Sequence, residues 1–162
     1  MENEKHDYYI RVATALAECQ LVEFELKFYI ANALELAETK PTLVLPFKMT
    51  PKQRESARKA YKDAPLGPLT KMFARLSDAP LLVAELKTFA EERNNLAHKF
   101  LAACLDPDGE LDRGMAAKLS GRVRKITAEA KRLNDAIHAA GMKWTMHLYF
   151  DKIEDSGALK RV

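Results

Sequence analysis

The fold of this chain depends most on the stretch Glu91-Glu92-Arg93-Asn94-Asn95-Leu96-Ala97-His98-Lys99-Phe100, which lies inside a helical pattern from Ala79 to about Cys104. Positions spaced three and four residues apart, and so on one face of a helix, are Leu82, Leu86, Phe89, Arg93, Leu96, Phe100 and Ala103. Arg93 stands where this pattern favours leucine. Because arginine is rarely buried without a partner, we expect that Arg93 either borders a wet cleft or pairs with a carboxylate.

The same helix has a polar face that includes two further residues of the stretch. Asn94 and His98 are one turn apart and share a face, whereas Arg93 and His98 are five residues apart, about 140° around an α-helix. A long arginine can bend its head group toward a groove that His98 borders from the other side. This geometry suits a phosphate site between two helices or between two copies of this helix. The polar positions on or near this face are Lys87, Glu91, Asn94 and His98.

The chain begins with a long helical pattern, which we expect to start near His6 and Asp7 and to end at Glu38. Its three-four rhythm comprises Tyr9, Val12, Leu16, Cys19, Glu23, Leu26, Ile30, Ala33 and Ala37. We expect Phe24, Phe28 and Leu36 to broaden the buried face, as in a central helix of a bundle. Glu23 is a candidate partner for Arg93, and the nearby alternatives are Glu18, Gln20 and Glu25. These polar side chains could equally serve only to solvate the helix surface.

The middle of the chain predicts two shorter helices. We expect Thr42–Met49 to be an ordered connection rather than a strand, because Pro46 interrupts it. A helix over Pro51–Lys62 follows, with a capping box formed by Thr50 and Gln53. Its many basic residues favour either a solvated surface or a contact with an RNA backbone.

Prolines and glycine in Asp63–Pro68 predict a loop, followed by a short helix over Leu69–Leu76. Either Ser77 or Asp78 is expected to cap the next helix, which contains Arg93 and His98 and has Pro80 in its first turn.

The last part of the chain predicts one long helix and a tail. Asp106-Pro107-Asp108-Gly109 is typical of a turn, and the helix is expected over about Arg113 to Ala140 with Gly141 as its C-cap. Its inner stripe comprises Leu119, Val123, Ile126, Ala130, Leu133 and Ile137, and its basic residues are Lys118, Arg122, Arg124, Lys125, Lys131 and Arg132. We expect the aromatic tail at 142–162 to pack against the bundle or a second subunit, apart from a loose basic end from Gly157.

Composition limits the class of protein. A chain of 162 residues with 48% hydrophobic and 30% charged residues predicts one globular domain over 1–162. No apolar run is long enough for a membrane span, and the polar start lacks a signal peptide, so we expect a cytoplasmic protein. Cys19 and Cys104 are expected to be reduced core residues. The histidines lack metal-ligand spacing, so no metal or other cofactor is expected. A net charge of +3 is compatible with a nucleic-acid partner but does not by itself indicate one.

The motif Arg93-Asn94-Asn95-Leu96-Ala97-His98 resembles the Arg-x4-6-His motif of the HEPN superfamily (higher eukaryotes and prokaryotes nucleotide-binding domains), in the form common among bacterial members. Upstream, Leu66-Gly67-Pro68-Leu69-Thr70-Lys71-Met72-Phe73 resembles the Leu-Gly-x-Leu segment that precedes the motif in several of these. The resemblance covers about Tyr8 to Ala140. It implies an all-α, up-and-down bundle of four to five helices.

The resemblance also implies an activity, that of a metal-independent endoribonuclease acting as a toxin or as a stress or phage-defence effector. His98 would be the acid or base and Arg93 would bind the scissile phosphate, with Asn94 in support. Candidate substrate-binding residues nearby are Lys87, Lys99 and Glu23. The implied partners are RNA, a second copy joined through the motif helix, and an antitoxin or regulatory protein. Toxins regulated by nucleotidyltransferase antitoxins have tyrosine where this chain has Phe100, which makes that regulation doubtful here.

A second hypothesis needs no catalysis. Arg93 could pair with a carboxylate of the first helix, and His98 could be an ordinary, partly exposed histidine. The protein would then be a helical, homodimeric binding module for a nucleotide, an RNA or a partner protein.

Overall fold

The computed structural model describes residues 2–155, and within them the side chains of residues 4–100 and 102–150. It confirms the expected all-α helical bundle. The helices are α1 (Glu2–Thr39), α2 (Pro51–Tyr61), α3 (Leu66–Leu76), α4 (Pro80–Asn95), a π-helical turn (Leu96–Phe100), α5 (Leu101–Ala103) and α6 (Arg113–Asp155). Within residues 2–155, no helix combines the length and the apolar character that a membrane span requires.

The two longest helices, α1 and α6, lie side by side and run in the same direction. Three cross-helix contacts share the same sequence offset of 113 residues and recur every seven residues, namely Glu18–Lys131, Glu25–His138 and Asn32–Thr145. A seven-residue repeat is typical of coiled-coil packing, and here the two helices are parallel. Helix α4 returns in the opposite direction, since its Arg93 reaches Glu23 and the following Phe100 carbonyl accepts a hydrogen bond from Tyr8.

The buried face of α1 agrees with the predicted rhythm at Val12, Cys19, Leu26, Ile30 and Ala33, and Leu36 is buried as expected. Its buried residues alternate by threes and fours and include Val12, Ala15, Cys19, Val22, Leu26, Tyr29, Ala33 and Leu36. The prediction that Phe24 and Phe28 join this face is wrong, because they are 65% and 37% exposed. Phe24 follows Val22 by two residues, about 200° around the helix, and therefore points away from the core. On α6 the predicted inner stripe is confirmed from Val123 to Ile137, and Leu119 is half-buried at its edge.

The predictions for the middle of the chain were right for α2 and wrong at two helix starts. The Thr50 side chain accepts from the Gln53 amide, and the Gln53 side chain accepts from the Thr50 amide, which completes the capping box. Residues 42–49 form no strand, as expected. Helix α3 begins at Leu66 rather than Leu69, because Leu66 is itself buried and a proline is tolerated in a first helical turn.

The cap of α4 also differs from the expectation. Its N-cap is Ala79, without a side-chain hydrogen bond, so the prediction that Ser77 or Asp78 caps it is wrong. Ser77 instead ends α3, where its amide donates to the Phe73 carbonyl. The Asp78 carboxylate binds the Lys143 ammonium at 2.9 Å and 3.2 Å, so it faces α6 rather than the start of α4.

The turn before α6 is confirmed. Gly109 has a φ of 79°, a left-handed conformation that favours glycine. The Asp106 carboxylate accepts hydrogen bonds from the amides of Asp108 and Glu110, and Leu105 pairs with Leu111 across the turn. The turn thus brings the chain from α5 to the start of α6.

Helix α6 does not end at Gly141, so the predicted C-cap is wrong. A Cβ atom at this position would lie 3.2 Å from Cδ2 of Tyr29, so the glycine permits a close approach of α6 to α1. Past Gly141, Trp144 and Leu148 are buried. One side of the segment up to Leu148 therefore packs on its own bundle, and the predicted loose end from Gly157 lies outside the described residues.

The close approach of Gly141 to Tyr29 predicts opposite signs for two glycine-to-alanine changes in α6. Gly121→Ala is expected to raise the free energy of unfolding by about 1 kcal/mol, because nothing lies within 4 Å of its Cβ position and alanine favours helix. Gly141→Ala is expected to lower the free energy of unfolding by about 1 kcal/mol, because the overpacking against Tyr29 costs more than the higher helix propensity of alanine contributes. The Tyr29 ring cannot easily yield, since it packs edge-on against both Phe73 and Trp144.

Urea denaturation of the two variants followed by circular dichroism measures this difference. Equal stabilisation by both changes would show that the contact with Tyr29 is loose.

Candidate functional site

The motif helix changes its geometry between Arg93 and His98. Helix α4 ends at Asn95, and residues Leu96–Phe100 form a π-helical turn. The buried residues along this stretch are Phe89, Leu96, Phe100 and Cys104, and two successive steps of four replace the usual alternation of three and four. A π turn accommodates one extra residue in a helix and is frequent at functional sites.

The π turn corrects two expectations. Ala103 was expected on the inner face, but it is exposed and Cys104 takes its place. A π turn also advances less than 100° per residue, because its hydrogen bonds join residues five apart. Arg93 and His98 are therefore closer in angle around the helix than the 140° expected of an uninterrupted α-helix.

Arg93 pairs with Glu23 of α1. Arg93 Nη2 lies 3.0 Å from Glu23 Oε1, and the two side chains are 23% and 15% exposed. Of the candidates on the first helix, the structure selects Glu23, while Glu18 contacts Lys131 and Glu25 contacts His138. Of the two environments expected for Arg93, the carboxylate partner is the one found.

The pair has close charges but incomplete hydrogen bonding. Glu23 Oε1 and Arg93 Nε are buried atoms without a hydrogen-bond partner among the described residues. The 3.0 Å contact is therefore an ion pair whose angles do not satisfy a hydrogen bond. Buried polar atoms left in this state are costly, so the site has unused capacity to bind water or a polar ligand group.

The cysteine beside this pair is not a nucleophile. Cys19 is fully buried, and burial raises the pKa of its thiol to about 11, with smaller opposing influences from Arg93, which lowers it, and Glu23, which raises it. At neutral pH the thiol stays protonated and unreactive. Cys19 and Cys104 are both free and buried, which confirms the prediction of reduced core residues.

The other predicted site residues lie at the surface. Asn94, His98, Lys87 and Lys99 are all exposed, and none of them makes a hydrogen bond or ion pair with another described residue. His98 lies inside the π turn, with Lys99 beside it. The structure thus directs Arg93 and Glu23 inward and leaves a polar, partly cationic surface around His98.

One feature next to the motif was not predicted. Arg122 of α6 holds Glu92 by two hydrogen bonds, Nε to Oε2 at 3.0 Å and Nη2 to Oε1 at 2.7 Å. The Arg122 guanidinium also lies 5.2 Å from the centre of the Phe100 ring. Arg122 was noted only as one of several basic residues on the last helix, because its partners on α4 are not visible in the local pattern. It fixes the outer edge of the motif helix just before and within the π turn.

A groove between α4 and α6 adjoins this clamp. Its apolar floor includes Phe89 and Ile126, and its rim includes Arg132, which contacts both Glu129 and Glu85. Arg122 and Arg132 are thus already paired, and Lys125 is the lining cation without an ion pair among the described residues.

No cluster of metal-ligating side chains occurs among the residues that the structure describes. The chain matches no protein-family model, no curated protein and no solved structure. The resemblance to the HEPN superfamily therefore stays a prediction from the motif.

Proposed function

We propose that this protein is a metal-independent endoribonuclease whose proton-transferring residue is His98. The observation that carries the proposal is the position of His98, which is exposed, has no partner among the described residues and lies in a π turn that begins three residues after the half-buried Arg93. Histidine is a common general acid or base because its imidazole can take up and return a proton. A histidine held in structural hydrogen bonds would be less free to do so.

The reaction requires few groups. Neutral His98 removes the proton of a ribose 2′-hydroxyl, and the 2′-oxygen attacks the adjacent phosphorus. The bond from phosphorus to the 5′-oxygen breaks, and that oxygen takes a proton from water or from the imidazolium. The products are a 2′,3′-cyclic phosphate and a free 5′-hydroxyl, so no oxidant or metal is needed to balance the step.

Arg93 supports this chemistry as an arginine of the same helical stretch whose side chain is turned to the inner side of the helix. Guanidinium has five N–H donors, and Glu23 contacts only one end of it. The buried Nε–H is unpaired and could donate to a phosphate oxygen after a small movement of the side chain. Lys87 and Lys99 would add positive charge for the RNA backbone, and Asn94 would bind the phosphate or orient His98.

The biological setting follows from the resemblance alone. We infer a cytoplasmic toxin or a stress or phage-defence effector that a partner protein such as an antitoxin controls. Pairing through the motif helix, which would bring two His98 residues together as acid and base, also belongs to this proposal. Apart from Pro80, Leu81 and Ala84, the exposed positions of α4 are polar, so such an interface would rely largely on hydrogen bonds and charges.

A non-catalytic binding module is the second candidate, and the Arg93–Glu23 ion pair favours it. An arginine that neutralises a half-buried carboxylate already has a structural reason to be present. Under this hypothesis the exposed surface around His98 would bind a nucleotide, an RNA or a partner protein without cleaving it.

Cleavage of RNA in EDTA separates the two candidates. The folded protein is expected to cut single-stranded or structured RNA in EDTA and to leave 2′,3′-cyclic phosphate ends. The matched control is the same RNA with a 2′-deoxyribose at the mapped position, which removes the attacking hydroxyl and is expected to stay intact. Uncut RNA, or cutting that EDTA abolishes, would refute the proposal and favour the binding module.

A further inference from the structure

Helix α1 has a second apolar seam on the side opposite its buried face. Its members again alternate by fours and threes, and they are Ile10, Thr14, Ala17, Leu21, Phe24, Phe28 and Ala31. The four large side chains are between 37% and 65% exposed. A strict heptad spacing of this kind is the repeat by which helices pack on other helices. Within the described residues, nothing in the same chain covers these four side chains.

Helix α6 extends the same surface. Met142, Met146 and Tyr149 are each about half exposed and lie one turn apart. The side on which they lie follows from the contact between Glu25 and His138, which marks the line where α1 meets α6.

The angular positions of these residues around their helices place the exposed side chains of α1 and those of α6 on the same outer side of the α1–α6 contact line. Phe28 follows Glu25 by three residues and so lies about 60° around α1 from the contact line. Met142 follows His138 by four residues and lies about 40° around α6 from it. Both are on the side of the line that faces away from the core. The buried neighbours Leu26 and Ile137 are turned about 100° the opposite way. We call the surface formed by Ile10, Leu21, Phe24, Phe28, Met142, Met146 and Tyr149 the outer face.

The outer face is large enough for a stable interface. The exposed fractions of its seven side chains add up to about three and a half fully exposed side chains. At roughly 200 Å² per large side chain, this is about 700 Å² of exposed surface. Single apolar patches on monomers are usually about 300–600 Å². Each partner in a standard protein interface contributes about 800 Å².

The order of side chains along α1 indicates what covers the outer face. If two copies of α1 pack antiparallel about a two-fold axis near Leu21, then Leu21 faces Leu21, Ala17 faces Phe24 and Thr14 faces Phe28. Each large side chain outside the centre then meets a small one, which is how facing helices interdigitate. In a parallel pairing Phe24 would face Phe24 and Phe28 would face Phe28, leaving the small residues opposite each other.

We propose that the outer face is a self-association surface, through which two copies of this chain form a two-fold dimer with antiparallel α1 helices. The same patch serves both subunits, as a two-fold interface requires. Glu23, which contacts Arg93, follows Leu21 by two residues and therefore lies about 160° around α1 from it, nearly on the opposite side of the helix. The dimer therefore leaves α4 and His98 uncovered, and it does not depend on the proposed nuclease activity.

The mass in solution tests the interface. By light scattering after size exclusion, the wild type is expected at twice 18.3 kDa, and Leu21→Arg and Phe24→Arg are each expected to be monomeric. The matched control is Leu81→Arg, because Leu81 is 82% exposed but lies on α4, outside the outer face. A monomeric wild type would overturn the proposal, and so would a dimer that survives both outer-face changes with full helicity, which is the result expected of pairing through the motif helix instead.

Disulfide trapping tests the orientation. The native cysteines are buried, so a cysteine introduced on the outer face is the reactive one. Leu21→Cys is expected to cross-link with itself, and Phe24→Cys is expected to cross-link efficiently with Ala17→Cys in a mixture but poorly with itself. Efficient self-cross-linking of Phe24→Cys with none to Ala17→Cys would overturn the antiparallel pairing.

Discussion

His98→Ala is expected to reduce the rate of RNA cleavage by at least about 100-fold while leaving the fold intact. A positioned acid or base usually contributes about 10²- to 10⁴-fold to a rate. Stability should change by less than about 0.5 kcal/mol, because the His98 side chain is exposed and makes no hydrogen bond or ion pair with another described residue. Cleavage rates on one RNA, with helicity measured in parallel, separate loss of chemistry from loss of structure.

The control for this change is His6→Ala, which removes another exposed histidine near the start of α1. It is expected to cleave at the wild-type rate. Equal cleavage by His98→Ala and the wild type would exclude His98 from the reaction and point to a contaminating nuclease.

Arg93→Ala is expected to lower the free energy of unfolding by about 3 kcal/mol. The change leaves the Glu23 carboxylate largely buried without its cation, and removing one partner of a buried pair usually costs about 3–5 kcal/mol. The lower end applies here because both side chains keep some contact with solvent. Urea denaturation followed by circular dichroism gives the difference from the wild type.

The double variant Arg93→Met with Glu23→Leu tests whether the cost comes from the unpaired charge. Replacing both partners by apolar residues is expected to restore most of the lost stability. If Arg93 also binds the scissile phosphate, this stable double variant will still cleave RNA poorly. If Arg93 is only structural, the double variant will cleave normally.

Lys59→Ala provides the matched comparison at the surface. Lys59 pairs with Glu55 one turn away on α2, and both side chains are well exposed. Pairs of this kind contribute only about 0.3–0.5 kcal/mol. A loss from Arg93→Ala no larger than that from Lys59→Ala would contradict the account of a buried pair.

Local patterns predicted the parts of the fold that depend on near neighbours in sequence. The capping box of Thr50 and Gln53 needs only residues three apart, and the Asp106–Gly109 turn needs only its own chain direction. Gly141 was misjudged because its role depends on Tyr29, which is remote in sequence. A glycine at a close approach and a glycine at a helix end look alike in sequence.

Phe24 and Phe28 of α1 were misassigned for a related reason. Apolar residues lie on two opposite sides of this helix, and each side has its own three-four rhythm. Periodicity identifies a helix with both rhythms but does not say which one packs within the chain. Phe24 and Phe28 belong to the rhythm that the bundle leaves uncovered.

The pairing of Arg93 with Glu23 was only partly predicted. Glu23 was one of four possible partners for Arg93, and the choice among them depends on how α1 and α4 slide past each other. The π turn was also missed, although Leu96, Phe100 and Cys104 in steps of four break the usual alternation and could have indicated it.

The parallel pairing of α1 with α6 has a consequence for synthesis on the ribosome. Each contact along this pair joins residues about 113 positions apart, so α1 emerges long before its main partner exists. At about 5–20 residues per second, roughly 10 s separate the two ends of each contact. During that interval the residues of α1 that later contact α6 are exposed together with the outer face. We therefore expect the nascent chain to bind a chaperone that recognises apolar helices.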